Sequence, residues 1–113
     1  EVWRKRLQEG SSPERMTGPD DFAGLADLED YWQAEAARFD SFVAGLDEAG
    51  LQRKVSFRRT GGGVEETTVW KALLHVVLHG MQFRAEAGAA LAGFGRSPGD
   101  IDLIYYLRET GQR

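Results

Sequence analysis

The sequence predicts an all-α fold: an antiparallel helix bundle carrying one short extended ribbon and ending in a short helix. Three observations lead there. Apolar residues recur at steps of three and four over two long stretches, about 22–47 and 69–94. Strand-like alternation is confined to residues 53–66, far too little for a β fold. Glycine or proline stands near the end of each helical pattern.

Residues 1–8 place Val2, Trp3 and Leu7 at helical spacing among Arg and Lys, so the segment reads as the tail of a helix that begins upstream of Glu1. The expectation is a helix from the first residue on, with Trp3 packed on the longest helix. Gly10-Ser11-Ser12-Pro13 stops it, and residues 9–21 form a long connector. The next helix starts at Phe22 or Leu25 and runs to Asp47, with Gly50 as its stop. Its seam is Leu28, Trp32, Phe39, Phe42 and Leu46, regular once Glu35 is admitted. Val55 and Phe57 then alternate with polar residues, and Gly61-Gly62-Gly63 turns the ribbon towards Val64. Thr67 or Thr68 caps the longest helix, Val69 to about Phe94, and Gly95 ends it. Ser97 as cap, Pro98 in the first turn and Asp100 reaching back start the last helix, which runs to about Glu109 and buries Ile101, Ile104, Tyr105 and Leu107.

Composition bounds the function. A chain of 113 residues is one domain with a single small core, and 42% hydrophobic content excludes a disordered one. A net charge of −4 argues against nucleic acid or an anionic membrane as partner. The chain has no cysteine, which excludes disulfides, thiolate metal sites and cysteine nucleophiles, and makes a reducing cytoplasm the default. The longest apolar stretch, Leu73 to Leu78, is interrupted by His75 and is too short to span a bilayer. The glycine run lacks the Lys-Ser or Lys-Thr of a phosphate loop, and no serine is flanked as a nucleophile elbow. Arg53, Lys54, Arg58 and Arg59 make a basic ribbon, suited to an anionic ligand or simply to solvent.

The chemistry-bearing segment is Leu73 to Glu86. At about 100° per residue, His75, His79, Gln82 and Glu86 fall in one narrow stripe beside Val69, Leu73, Val76 and Phe83. Imidazoles and a carboxylate bordering apolar surface are what metal sites in helix bundles use, and two histidines one turn apart can share an ion. A hydrogen-bonded, half-buried histidine pair is the plainer reading of the same spacing. These two are the only histidines of the chain, so a three-ligand zinc would draw on Glu86, Glu35 or a further segment. Glu35 is either a carboxylate aimed into the bundle or, on the favoured reading, a residue at the edge of a drifting seam. Arg84 on an apolar helix needs a partner, with Asp102 or an acid of the preceding helix as candidates.

Leu74-His75-Val76-Val77-Leu78-His79, Phe83-Arg84, Gly95 with Ser97-Pro98, and Asp102-Leu103 with Tyr106-Leu107 resemble the DinB/YfiT-like superfamily of damage-inducible-type bundles. Upstream, Trp3, Leu7, Gly10 and Pro13 look like the end of that family's second helix and its loop, so the first helix would be missing from the chain. The resemblance covers nearly the whole chain. It implies a four-helix bundle with a divalent metal, often nickel or zinc, bound by three histidines: one on the second helix and two one turn apart on a later one. Some members look like thiol S-transferases or isomerases using bacillithiol or mycothiol. Carried over, His79 matches the first histidine of the later pair, Phe83 stands where the second should be, and the third would precede Trp3. The expectation is therefore a divergent member with a degenerate metal site, acting as a small-molecule-binding or dimeric module. Its pocket would be His75, Gln82, Phe83, Arg84 and Glu86. No cofactor is expected, and nickel or zinc at His79, with His75 or Glu86, if one is present. A metal-dependent thiol S-transferase or isomerase is the alternative. A small molecule and a second copy of the chain are the expected partners, the copy covering an apolar face.

Overall fold

The computed structural model describes residues 1–111. The chain is mostly helical, with one two-stranded sheet. Helices α1 (Val2–Glu9), α2 (Leu25–Ala44), α3 (Glu48–Gln52), α4 (Val69–Gly93) and α5 (Leu103–Glu109) frame strands β1 (Lys54–Arg58) and β2 (Val64–Thr68), and a short 3-10 turn covers Pro19–Asp21. Contacts group the chain into two compact units, residues 1–74 and 75–113. No helix among the described residues is long and apolar enough to cross a membrane.

In the first unit, α1 is helical from Val2 and ends on Gly10 in the left-handed conformation (φ 66°), which glycine adopts without a Cβ penalty. Its buried face rests on β1. Leu7 is 1% exposed and forms the core with Val55, Val69 and Ala72, and Trp3, Phe42, Leu46 and Leu73 pack around it. Through Val69 and Ala72 the first turn of α4 thus belongs to this core, against which Trp3 packs. Trp3 also meets Phe57 edge-on at 5.5 Å, and the Arg6 guanidinium lies 4.8 Å from both ring centroids. Arg6 Nε donates to Ser12 Oγ (2.8 Å), whose hydroxyl donates to the Arg58 carbonyl (2.6 Å), tying the connector to the ribbon.

The ribbon is a regular antiparallel pair, with Val55 opposite Thr67 and Arg58 opposite Val64. Val55 and Phe57 point inward, as their alternation requires, and the glycine turn uses positive φ at Gly62 and Gly63. The basic residues of the ribbon are partly neutralised across it: Lys54 pairs with Glu66 (3.1 Å) and Arg59 with Glu65 (3.2 Å).

Several expectations are corrected. The second helix does not run to Asp47. It ends at Ala44, and Asp47 caps the new helix α3 by accepting the Gly50 N–H at 2.7 Å. A short carboxylate competes with helix continuation by bonding backbone locally, so Gly50 lies inside α3 instead of stopping its predecessor. Thr67 and Thr68 both belong to β2, and the first donor of α4, Val69 N–H, is taken by the Arg53 carbonyl at 3.0 Å. The seam of α2 is buried only in its second half. Phe39 and Phe42, and Leu46 just beyond the helix, are half-buried, whereas Leu28 and Trp32 (71%) are exposed.

In the second unit, α4 closes as Gly95 predicted. Gly95 N–H reaches the Ala92 carbonyl and Arg96 N–H the Leu91 carbonyl, both at 2.9 Å, with Gly95 at φ 70°. The last helix starts later than expected, at Leu103. Ser97 Oγ accepts the Gly99 N–H (3.2 Å) in a local turn, and Pro98 packs against Gly88, where an added Cβ would meet Pro98 Cγ at 3.3 Å. Ile101 therefore precedes the helix. Ile104 and Tyr105 are exposed instead of buried, and only Leu107 is half-buried.

Candidate functional site

The stripe on α4 is present as the helical period requires. The His75 and His79 rings lie nearly parallel, 20° apart in plane, with centroids 5.0 Å apart. Phe83 stands one turn further on, its ring perpendicular to His79 at 4.8 Å. Gln82 Nε2 donates to Glu86 Oε1 at 3.1 Å, so the amide and the carboxylate of the stripe engage one another. Glu86 lies seven residues from His79, about 10 Å along the helix axis, and further still from His75. All five side chains are exposed.

Arg84 is exposed as well, so the burial cost that would call for an acidic mate does not arise. Its guanidinium folds back along the helix over Gly80, Nη1 lying 3.1 Å from where a Cβ at that position would stand. Asp102 occupies the N-cap position of α5.

Glu35 is the residue whose sequence reading changes most. It is buried at 9% exposure, not set at the edge of a drifting seam. Arg4 reaches it from α1 with two donors, Nε to Oε1 at 2.5 Å and Nη2 to Oε2 at 3.4 Å, and Arg38 approaches from one turn away at 3.8 Å. The Arg4 hydrogen bond holds the Glu35 carboxyl below its ordinary range against the opposing effect of burial. Beside the pair lies an open cleft of about 450 Å³ lined by Arg4, Gln8, Ala37, Arg38 and Ser41. Sequence reasoning missed Arg4. The available signal was a guanidinium on the helical face that also carries Leu7, opposite a seam interrupted by a carboxylate.

The donors on α4 do not make the three-histidine centre that the resemblance implies. Residue 83 is a phenyl ring, which offers no lone pair to a cation, and among the described residues no group of three or more His, Asp or Glu could hold a metal ion. The arrangement offers two adjacent imidazoles, an aromatic edge and a polar Gln–Glu pair on one face of one helix. Comparison with curated proteins and with solved structures returns no match. The model of the DinB family, in contrast, matches residues 1–113. With its mostly helical chain and the histidine-bearing α4, this protein belongs to the DinB family.

Proposed function

We propose that this chain is a divergent DinB-family member that has lost one position of the family's metal centre and works as a small-molecule-binding or dimeric module. In this reading it is a single DinB-type domain whose helices belong to the family's four-helix bundle. The observation that carries the reading is Phe83: its ring packs edge-on against His79 at 4.8 Å, where the resemblance implies a ligand. Whatever lies upstream of Glu1, a three-ligand site without residue 83 falls to two, too few for a tightly held catalytic zinc.

A ligand of this module would meet the polar stripe of His75, Gln82 and Glu86 beside Phe83 and Arg84. A second copy would meet apolar surface: Leu78 and Phe83 on α4 and Leu103 and Tyr106 on α5 are each more than half exposed. Exposed apolar surface of this kind supports self-association. The test is elemental analysis of untagged protein together with Phe83→His. The expected result is far less than one transition-metal ion per chain, rising with the histidine variant when the remaining family ligand is present. One tightly bound ion per unmodified chain, with His79 in its shell, would overturn the reading in favour of the metal-dependent thiol S-transferase.

A further inference from the structure

His75 and His79 are one helical turn apart on α4, and their rings are stacked at 5.0 Å. We infer that this pair is a two-imidazole chelate for a single late divalent transition metal, bound weakly and exchangeably, which shares only His79 with the family's three-histidine centre. It uses His75, which has no place in that centre, and needs nothing at residue 83.

Two nitrogens bound to one ion at about 2.0–2.1 Å stand about 3 Å apart when they occupy neighbouring coordination positions. Side chains at i and i+4 start with Cβ atoms about 5–6 Å apart, so two imidazoles already lying face over face need only small turns about χ1 and χ2 to bring one nitrogen each to that spacing. The backbone adds little entropic cost, because both residues sit well inside a 25-residue helix. Both rings are exposed, so water can complete the coordination sphere.

The same surroundings select the ion. Residues 71–83 contain no Asp or Glu, and calcium and magnesium require oxygen ligands. Neutral imidazole suits copper, nickel and zinc, and affinity for a given site peaks at Cu²⁺. With two protein ligands the complex is far weaker than a closed structural site and is stripped by a chelator. Its existence does not depend on the function proposed above, since a protein with or without a tight metal elsewhere can carry it.

The test uses the full chain, untagged and treated with EDTA, titrated with CuCl₂ by calorimetry and followed by electron paramagnetic resonance. The expected result is one Cu²⁺ per chain with a two-nitrogen signature. His75→Gln and His79→Gln should each weaken binding at least tenfold, because losing either donor abolishes the chelate. Both positions are exposed, and an unchanged far-ultraviolet circular dichroism spectrum confirms the fold. If either variant binds within twofold of the parent, or if the parent takes up two equivalent ions that fall to one in each variant, the histidines act singly and the inference fails. The titration distinguishes this failure from that of the proposed function, which is decided by the metal content before EDTA treatment.

Discussion

Removing the Glu35 carboxylate should destabilise the protein by about 2 kcal/mol, a value bracketed by the surroundings of the pair. A wholly buried ion pair broken on one side costs about 3–5 kcal/mol, and a surface pair about 0–1 kcal/mol. The Arg4 and Glu35 side chains retain only 13% and 11% of their exposure, which sets the pair near the buried limit. Arg4 is not left bare when Glu35 goes, however. Its Nη1 donates to Gln8 Oε1 at 3.1 Å and to Glu9 Oε1 at 3.5 Å, which moderates the loss. For a chain of 113 residues, 2 kcal/mol corresponds to a fall in Tm of about 8 °C. Glu35→Ala, Arg4→Ala and the double variant, melted by circular dichroism, form a thermodynamic cycle that isolates the pair. Arg38→Ala should change little, its guanidinium being largely exposed and 3.8 Å away. Replacing both partners with apolar residues, Arg4→Met with Glu35→Leu, should recover most of the stability, because no charge is then left buried and unpaired.

The pair also sets a pH dependence. Because Arg4 lowers the Glu35 pKa in the folded protein, the folded state ionises this carboxyl more readily than the unfolded chain does. The contribution is therefore complete above the unfolded value of about 4.3 and is lost as pH falls through the lower folded value. Glu35→Gln should flatten that acid limb. If Glu35→Ala lowers Tm by less than 2 °C, or if the acid limb is unchanged in Glu35→Gln, the assignment of a stabilising buried pair is wrong.

Other substitutions test other parts of the fold. Leu7→Ala empties the centre of a small core and should cost about 3 kcal/mol, read as a lower urea midpoint at unchanged slope. Gly95→Ala forces a Cβ into the left-handed conformation with no neighbour to clash with, so its cost of about 1 kcal/mol should be purely conformational and should fray the end of α4. Gly80→Ala should stabilise α4 by about 0.5–1 kcal/mol, because the nearest atoms its Cβ would meet belong to the swinging end of Arg84; a lower Tm would mean that Arg84 is held in place there. Gly88→Ala should gain less than Gly80→Ala, since its Cβ meets the rigid ring of Pro98.

Much of the site was legible in the sequence because its geometry is local. The stripe of His75, His79, Gln82 and Glu86 follows from the pitch of a single helix, and so does the approach of Phe83 to His79. The exposure of that stripe was not legible, because helical period says which residues share a face and not what meets it. The same limit explains α2, where Leu28 and Trp32 share a seam with Phe39 and Phe42 yet stay exposed.

The sequence by itself determined the mostly helical chain, the inward alternation of Val55 and Phe57, the glycine turn of the ribbon and the closure of α4 at Gly95. Each of these depends on residues within a few positions of one another, where backbone sterics and short hydrogen bonds decide the outcome. The tertiary structure alone decided that Glu35 is buried, since the guanidinium that compensates it lies 31 residues away on α1. It also decided that α4 starts on the Arg53 carbonyl in place of a threonine cap, and that Leu7, Val55, Val69 and Ala72 meet in one core. A buried charge or an orphaned helix donor is tolerated only where the fold brings a partner to it, and no local pattern records which partner that is.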